Sequence, residues 1–362
     1  MYTETGENTS NKKMQGTFYQ IYKDAYAKDA SDIHLIFGKP TQIRLNGLLE
    51  NYGDASLTDK DIEALVAQVM TPAAKQELDT NLDADFSYEF ERNERLRINV
   101  HYEKHHLALT ARIIKSNIPT FEDIALGKTE EMLTKINYGL ILICGPTGSG
   151  KSTTLSAMLD RINQERSGKI ITLEDPIEYV FEHKKSVIEQ REIGIDSPSF
   201  GAALRTVFRQ DPNVIMVGEI RDKETISETL RVAETGHLVF STLHTSSASA
   251  TILRIVDIFE PHEQRQVKIQ LAENLRAVIF QQLVPSTDGK RVAAREIMIN
   301  NSAISNIIRV GNFEQIDTVL QTSSEEGMTT MDKALEKLLK DGKITKEVYD
   351  KRKGHGTGYS FY

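Results

Sequence analysis

The stretch that most limits what this chain can fold into is Gly145-Pro-Thr-Gly-Ser-Gly-Lys151-Ser152, which fits G-x-x-x-x-G-K-S/T at every constrained position. Glycines at these places let backbone N–H groups curl around phosphate oxygens, and a helix beginning at the end of the loop turns its positive pole toward the same anion. The flanks agree with this reading. Gly139-Leu-Ile-Leu-Ile-Cys144 is a short apolar run suited to a buried parallel strand, and Thr153-Thr-Leu-Ser-Ala-Met-Leu-Asp160 reads as a helix. Strand, glycine loop and helix in that order make a phosphate-binding loop, with Gly145, Pro146, Thr147, Gly148, Ser149, Gly150, Lys151, Ser152 and Thr153 around the nucleotide. Lys151 is expected to reach the β- and γ-phosphates and Ser152 to ligate Mg²⁺. A glycine-rich turn that merely precedes a helix would leave the lysine and the glycines unexplained.

With 362 residues the chain is long enough for two domains. Hydrophobic residues make up 39% and charged residues 27%, which fits a globular protein and excludes wholesale disorder. The longest purely apolar run is 140–144 and the N-terminus is polar, so neither a membrane span nor a signal peptide is expected, and the reading is cytosolic. The single cysteine, Cys144, reads as a small buried residue, which leaves no disulfide or cysteine-based zinc site within one chain. A net charge of −8 argues against a surface built broadly for nucleic acid, although a local basic channel is compatible with an acidic average.

Along the chain, residues 1–14 read as a polar flexible tail. From Phe18 apolar residues recur at helical spacing; 32–37 and 42–49 read as strands, the second interrupted at Asn46-Gly47 by a tight turn or a bulge. Thr58 with Asp61 resembles a capping box, and Pro72 restarts a helix. Segments 83–90, 96–102 and 107–114 look like successive strands, the first two separated by a turn at Arg92-Asn93-Glu94; gaps this short require antiparallel pairing. Residues 15–115 therefore form a small α+β domain, and 116–122, with Pro119, a short linker. In 123–362 strand and helix alternate: 140–144, 170–173, 214–217 and 238–243 are apolar runs of a parallel sheet covered on both faces. After Ala248 the pattern reads as mostly helical. Val267, Leu271, Leu275, Val278 and Ile279 mark one long amphipathic helix, 298–309 continues in helical manner, and 354–362 looks frayed.

Hydrolysis of a triphosphate needs a carboxylate near the metal and a group that orients water. Ile215-Met-Val-Gly-Glu219 is an apolar strand ending in a carboxylate, the Walker B arrangement, and assigns Glu219 as the water-activating base at the carboxyl edge of the sheet. Ile171-Thr-Leu-Glu-Asp-Pro-Ile-Glu178 runs from strand into acidic loop and brings Glu174, Asp175 and Glu178 to that edge, where capping or solvation accounts equally well for Glu174 and Asp175. Thr235-Gly-His237-Leu-Val-Phe-Ser-Thr-Leu-His244 sets one histidine before and one after the next strand; no cysteine accompanies them and Mg²⁺ prefers oxygen, so a γ-phosphate contact, assigned to His237, is the better reading. His105-His106 point to opposite faces of a strand. Arg97 and Arg112 lie on strands of the first domain, where spacing alone favours surface salt bridges. Arg205, Arg209, Arg221 and Arg231 flank the Walker B strand and fit structural ion pairs or subunit contacts.

Taken together, 145–152, 171–178, Val217-Gly-Glu-Ile-Arg-Asp222 and Glu234-Thr-Gly-His-Leu-Val-Phe-Ser-Thr-Leu-His-Thr245 resemble the Walker A, Asp box, Walker B and His box of the secretion and type IV pilus ATPases. The resemblance spans roughly 16–350 and is nearest to the pilus retraction branch, including Ala27-Lys-Asp-Ala-Ser-Asp-Ile-His34, Gln190-Arg-Glu-Ile-Gly194 and Arg291-Val-Ala-Ala-Arg-Glu-Ile-Met298. It implies a homo-hexameric ring whose PAS-like N-terminal domain precedes a RecA-like P-loop ATPase domain, with ATP held between the two. It also implies that Arg97 and Arg112 contact phosphate, that His237 senses the γ-phosphate, and that Ser152, Glu178 and Glu219 serve Mg²⁺ directly or through water. The implied activity is ATP hydrolysis that drives pilin withdrawal and twitching motility, at an inner-membrane pilus platform protein and beside a paralogous motor, on the cytoplasmic face of the membrane and without stable nucleic-acid binding. An accessory motor, a secretion or conjugation ATPase, or a nucleotide-switched scaffold ring with little hydrolysis carries similar motifs. The chain departs from the retraction pattern at His105, where a third arginine is usual, and at Ser305 and Val310, which replace an arginine and a glutamate.

Overall fold

A computed structural model describes residues 18–45, 47–90, 94–114 and 117–354. The expected tail 1–14, Asn46, the turn residues Arg92 and Asn93, Ser116 of the linker and the segment 355–362 lie outside the described residues. The chain divides into two compact units, with the break between Asn117 and Ile118 and the short stretch Glu178–Val180 grouped with the first.

The first unit contains α1 (Phe18–Ala27), β1 (Asp32–Leu35), β2 (Thr41–Leu45), β3 (Leu48–Tyr52), α2 (Asp59–Val66), α3 (Pro72–Asn81), β4 (Asp83–Glu89), β5 (Arg95–Glu103) and β6 (His106–Ile114). Its strands form one antiparallel sheet in the order β3-β2-β1-β6-β5-β4. The capping box is present: the Thr58 side chain accepts from Asp61 N–H, and the Asp61 carboxylate accepts from Thr58 N–H at 2.8 Å. Alternation along β5 sends Leu96, Ile98 and Val100 into the core with Phe18, Tyr22, Ile62 and Leu78 of the helices, and leaves Arg95, Arg97 and Asn99 on the other face. Lys104 and His105 form the left-handed two-residue turn of the β5–β6 hairpin, φ +50° and +70°, so His105 is a turn residue and not a strand residue.

The second unit contains α4 (Lys128–Thr134), β7 (Gly139–Cys144), α5 (Lys151–Glu165), β8 (Lys169–Glu174), β9 (Val187–Glu192), α6 (Phe200–Val207), β10 (Val214–Val217), α7 (Lys223–Glu234), β11 (Leu238–Leu243), α8 (Ala248–Asp257), α9 (Gln264–Asn274), β12 (Leu275–Pro285), β13 (Arg291–Ile299), α10 (Ser302–Val310), α11 (Ile316–Thr322), α12 (Met331–Lys340) and α13 (Lys346–Arg352). The sheet order is β13-β12-β7-β11-β10-β8-β9, parallel throughout except for β13. Every residue of β7, β10 and β11 is buried, because helices cover both faces. Along β7, Leu140, Leu142 and Cys144 pack on the side of α7 and α8, whereas Ile141 and Ile143 pack on the side of α5. This is an α/β, RecA-like P-loop domain following a small α+β domain of the expected class.

The helical reading of the chain after Ala248 is corrected at two places. The helix read through Leu275, Val278 and Ile279 ends at Asn274, and the run Leu275-Arg-Ala-Val-Ile-Phe280 is strand β12, hydrogen-bonded to β7 on one side and β13 on the other. An apolar run buried on both faces satisfies helical spacing by accident, and its β-branched and aromatic content is the better guide. Met298 likewise belongs to β13, not to the helix that follows. The parallel order β12-β7-β11-β10-β8 makes the loops after β7, β8, β10 and β11 emerge along one carboxyl edge, which is where such sheets carry ligand sites.

Candidate active site

The phosphate-binding loop turns directly out of β7. Gly148 and Gly150 adopt φ of +75° and +82°, conformations that L side chains rarely take, and Gly150 leads straight into α5. A Cβ on Gly145 would lie 2.3 Å from the Gln281 carbonyl oxygen, so only glycine lets the loop lie this close to β12. The Lys151 ammonium is folded into the loop, donating to the carbonyls of Gly145 at 2.8 Å and Pro146 at 3.0 Å. The Ser149 hydroxyl is buried without a hydrogen-bond partner. An orphaned hydroxyl, a buried ammonium and the positive N-terminal end of α5, whose first turn contains Ser152 and Thr153, fit a polyphosphate.

Glu219 follows β10 at the same edge. Its loop is pinned by Gly218 N–H to Leu173 O at 2.8 Å and by the Thr242 hydroxyl to Gly218 O at 2.6 Å. One carboxylate oxygen accepts from Arg221 Nη2 at 2.8 Å, and the other lies 3.2 Å from His244 Nε2. Burial alone would raise this carboxyl, but the Arg221 hydrogen bond and the charges of His244, Arg221 and Lys151 outweigh it and hold the group below the usual carboxylate range. His244 closes the circuit: its Nδ1 is 3.5 Å from both Lys151 Nζ and the Thr147 hydroxyl. Lys151, His244, Glu219 and Arg221 thus form one continuous line beside the loop, with the Glu219 carboxylate held between His244 and Arg221.

A base must be ionised to accept a proton, so with Glu219 assigned that role the depression of its carboxyl predicts activity extending toward low pH. In Arg221→Ala the carboxyl rises toward its ordinary value, and the acidic limb of the pH–rate profile for triphosphate hydrolysis is expected to move to higher pH. An unmoved limb would mean that Arg221 does not hold Glu219 in the working enzyme.

The assignment of the γ-phosphate contact to His237 is corrected. His237 precedes Leu238, the strand residue paired with Gly139 at the start of β7, and its carbonyl accepts from Gly139 N–H at 2.9 Å. It therefore lies at the amino edge, about 20 Å of strand away from the loop at some 3.3 Å per residue. There its Nδ1 lies 3.1 Å from the Thr235 hydroxyl and 3.2 Å from Val232 O, and its ring meets Phe208 edge-on. Parallel pairing gives the carboxyl edge to the other histidine of the box, His244.

Of the acidic residues after β8, Glu174 is buried and accepts from the Thr172 hydroxyl at 2.6 Å and Gln190 Nε2 at 3.0 Å, a structural role. Asp175 and Glu178 are exposed in the loop that follows. Arg205 pairs with Glu224 and Arg231 with Glu228. In the first unit Arg97 and Arg112 stand directly opposite on β5 and β6, a repulsive pairing relieved by Asp85, 2.6 Å from Arg97, and Asp32, 3.1 Å from Arg112.

Sequence reasoning missed Gln281. Seated on β12 behind the loop, its amide donates to Ser149 O at 2.6 Å and accepts from the Thr154 hydroxyl at 2.8 Å. No local motif announces it, and reading β12 as helix hid its place beside β7.

The model of the type II/IV secretion system protein family matches residues 7–348. The chain is 42% identical over 318 residues to the type IV pilus retraction ATPase PilT of Pseudomonas aeruginosa, covering 88% of this chain and 92% of that one. Against the type IV pilus ATPase PilU of the same organism the identity is 35% over 331 residues, 91% of this chain and 87% of that one. A crystal structure of the pilus retraction motor PilT with bound ADP superposes with a TM-score of 0.87 at 45% identity, covering 93% of this chain and 97% of the other.

Proposed function

Because the chain belongs to the type II/IV secretion system protein family, we propose that it is the ATP-hydrolysing motor of type IV pilus retraction. The observation that carries this reading is the line Lys151–His244–Glu219 along the carboxyl edge, in a chain similar to a retraction ATPase over nearly its whole length. ATP fits the loop through the groups already described. Lys151 exchanges the carbonyls of Gly145 and Pro146 for phosphate oxygens, Glu219 accepts the proton of the attacking water, and His244 donates toward the γ-phosphoryl oxygens. Mg²⁺, when bound, neutralises charge on the β- and γ-oxygens. Ser152, Glu219 and, in the loop after β8, Glu178 are the groups that would hold it directly or through water. Among the described residues no three His, Cys, Asp or Glu side chains converge on a metal site, and Mg²⁺ takes most of its oxygens from water and phosphate in such proteins.

Arg97 and Arg112 as phosphate-contacting arginines belong to the same proposal, as do assembly into a homo-hexamer, action on an inner-membrane platform protein and residence at the cytoplasmic face of the membrane. No helix among the described residues is long and apolar enough to cross a membrane. Greater identity to PilT than to PilU favours retraction proper over an accessory role. The departures in α10 are mild in structure: the Ser305 hydroxyl donates to Ala272 O at 2.9 Å, and Val310 is exposed.

Deletion of the gene, with pili counted on the cell surface and their length followed in time, tests the reading. Excess pili that never shorten are expected. Bald cells would point to assembly, and unchanged pili to another secretion machine.

A further inference from the structure

We propose that Arg295 and Gln281 are positioning residues that tie the chain entering the ATPase unit to the phosphate-binding loop, so that nucleotide at the loop is felt at residues 119–127. The idea rests on the loop binding nucleotide as proposed above. Arg295 lies on β13 and is only 7% exposed. Each nitrogen of its planar fork donates: Nε to Gln281 Oε1 at 2.8 Å, Nη1 to Ala125 O at 3.1 Å and Nη2 to Ile124 O at 2.9 Å. All these acceptors are uncharged. Burying a guanidinium is costly even with the charge of the buried Glu130 carboxylate to offset part of it, and an aliphatic side chain of similar volume would fill the space more cheaply. What the arginine supplies is geometry, because a rigid fork fixes three acceptors from two segments at set distances.

Gln281 carries the connection onward. The amide that accepts from Arg295 also accepts from Thr154 in the first turns of α5 and donates to Ser149 O in the loop. The hydrogen-bonded path is therefore unbroken: Ile124 and Ala125, Arg295, Gln281, then Ser149 and Thr154. At its far end Ala125 holds a left-handed φ of +50°, and the segment begins just past the break between the two units at Asn117 and Ile118. A shift of Ser149 or Thr154 on nucleotide binding must move the Gln281 amide, and with it the guanidinium that grips Ile124 and Ala125. The coupling is reciprocal, so displacement of this segment changes nucleotide affinity at the loop.

Amide hydrogen exchange of the full chain, with and without saturating Mg²⁺ and the slowly hydrolysed analogue ATPγS, reads both ends of the path. In the wild type, exchange is expected to slow at 145–154 and, by roughly fivefold or more, at 119–127. Arg295→Met should keep the slowing at 145–154 and lose it at 119–127. Gln281→Glu is the milder variant: its carboxylate still accepts from Arg295 and Thr154 but has no N–H for Ser149 O. It should uncouple the two segments in the same way, with a melting temperature lowered by roughly 2–8 °C for the unpaired Ser149 carbonyl and protection at 145–154 retained as the sign of an intact fold. Slowing at 119–127 that persists in Gln281→Glu, or that is missing from the wild type while 145–154 is protected, overturns the proposal. Wild type without protection at 145–154, indistinguishable from Lys151→Ala, would instead remove the nucleotide reading on which it rests.

Discussion

Glu219→Gln is expected to lower ATP turnover by about 10²–10⁴-fold while nucleotide binding survives. The amide keeps the size of the side chain and can still accept from Arg221 through its oxygen, so the loop held by Gly218 and Thr242 has no reason to move. What disappears is the anionic oxygen 3.2 Å from His244 Nε2, the carboxylate that neighbouring cations keep ionised and so available to accept a proton from water. Phosphate release measures the first effect, and titration with a fluorescent nucleotide measures the second. Turnover within a few-fold of the wild type would sink the assignment of Glu219 as base. Loss of binding together with turnover would instead make Glu219 part of the nucleotide pocket.

The parts of this site that were legible in the sequence are those where local backbone chemistry is distinctive. Gly145, Gly148 and Gly150 mark conformations or approaches that other residues refuse, and the apolar run before Glu219 ends where the sheet ends. What was not legible depends on neighbours brought from elsewhere in the chain. Gln281 and Arg295 act only because β12 pairs with β7 and β13 with β12, and the apolar run of β12 satisfied the helical pattern as well as the strand pattern. The small first domain shows the same division. The capping box at Thr58 and Asp61 is local and readable, whereas the opposition of Arg97 and Arg112, and the carboxylates that relieve it, depend on register between strands.

The two histidines of the box separate pattern from position, and their variants should differ sharply. His244→Ala is expected to cost about 10²–10³ in turnover, the usual penalty for removing one preorganised group that meets developing charge. The substitution breaks the contacts with Glu219 and Lys151 at once, so the base loses part of what holds it ionised and the ammonium loses a neighbour that orders it. His237→Ala, at the far edge of β11, removes a contact with the Thr235 hydroxyl and an edge-on meeting with Phe208, and is expected to leave turnover by the isolated chain within about twofold, as for a surface change. Parallel measurement of phosphate release decides between them. Equal losses would place His237 in the reaction through a route this chain alone does not contain, such as a second copy docking its active edge against the amino edge of β11. A His244 variant with full activity would leave Lys151 and Glu219 as the whole of the machinery.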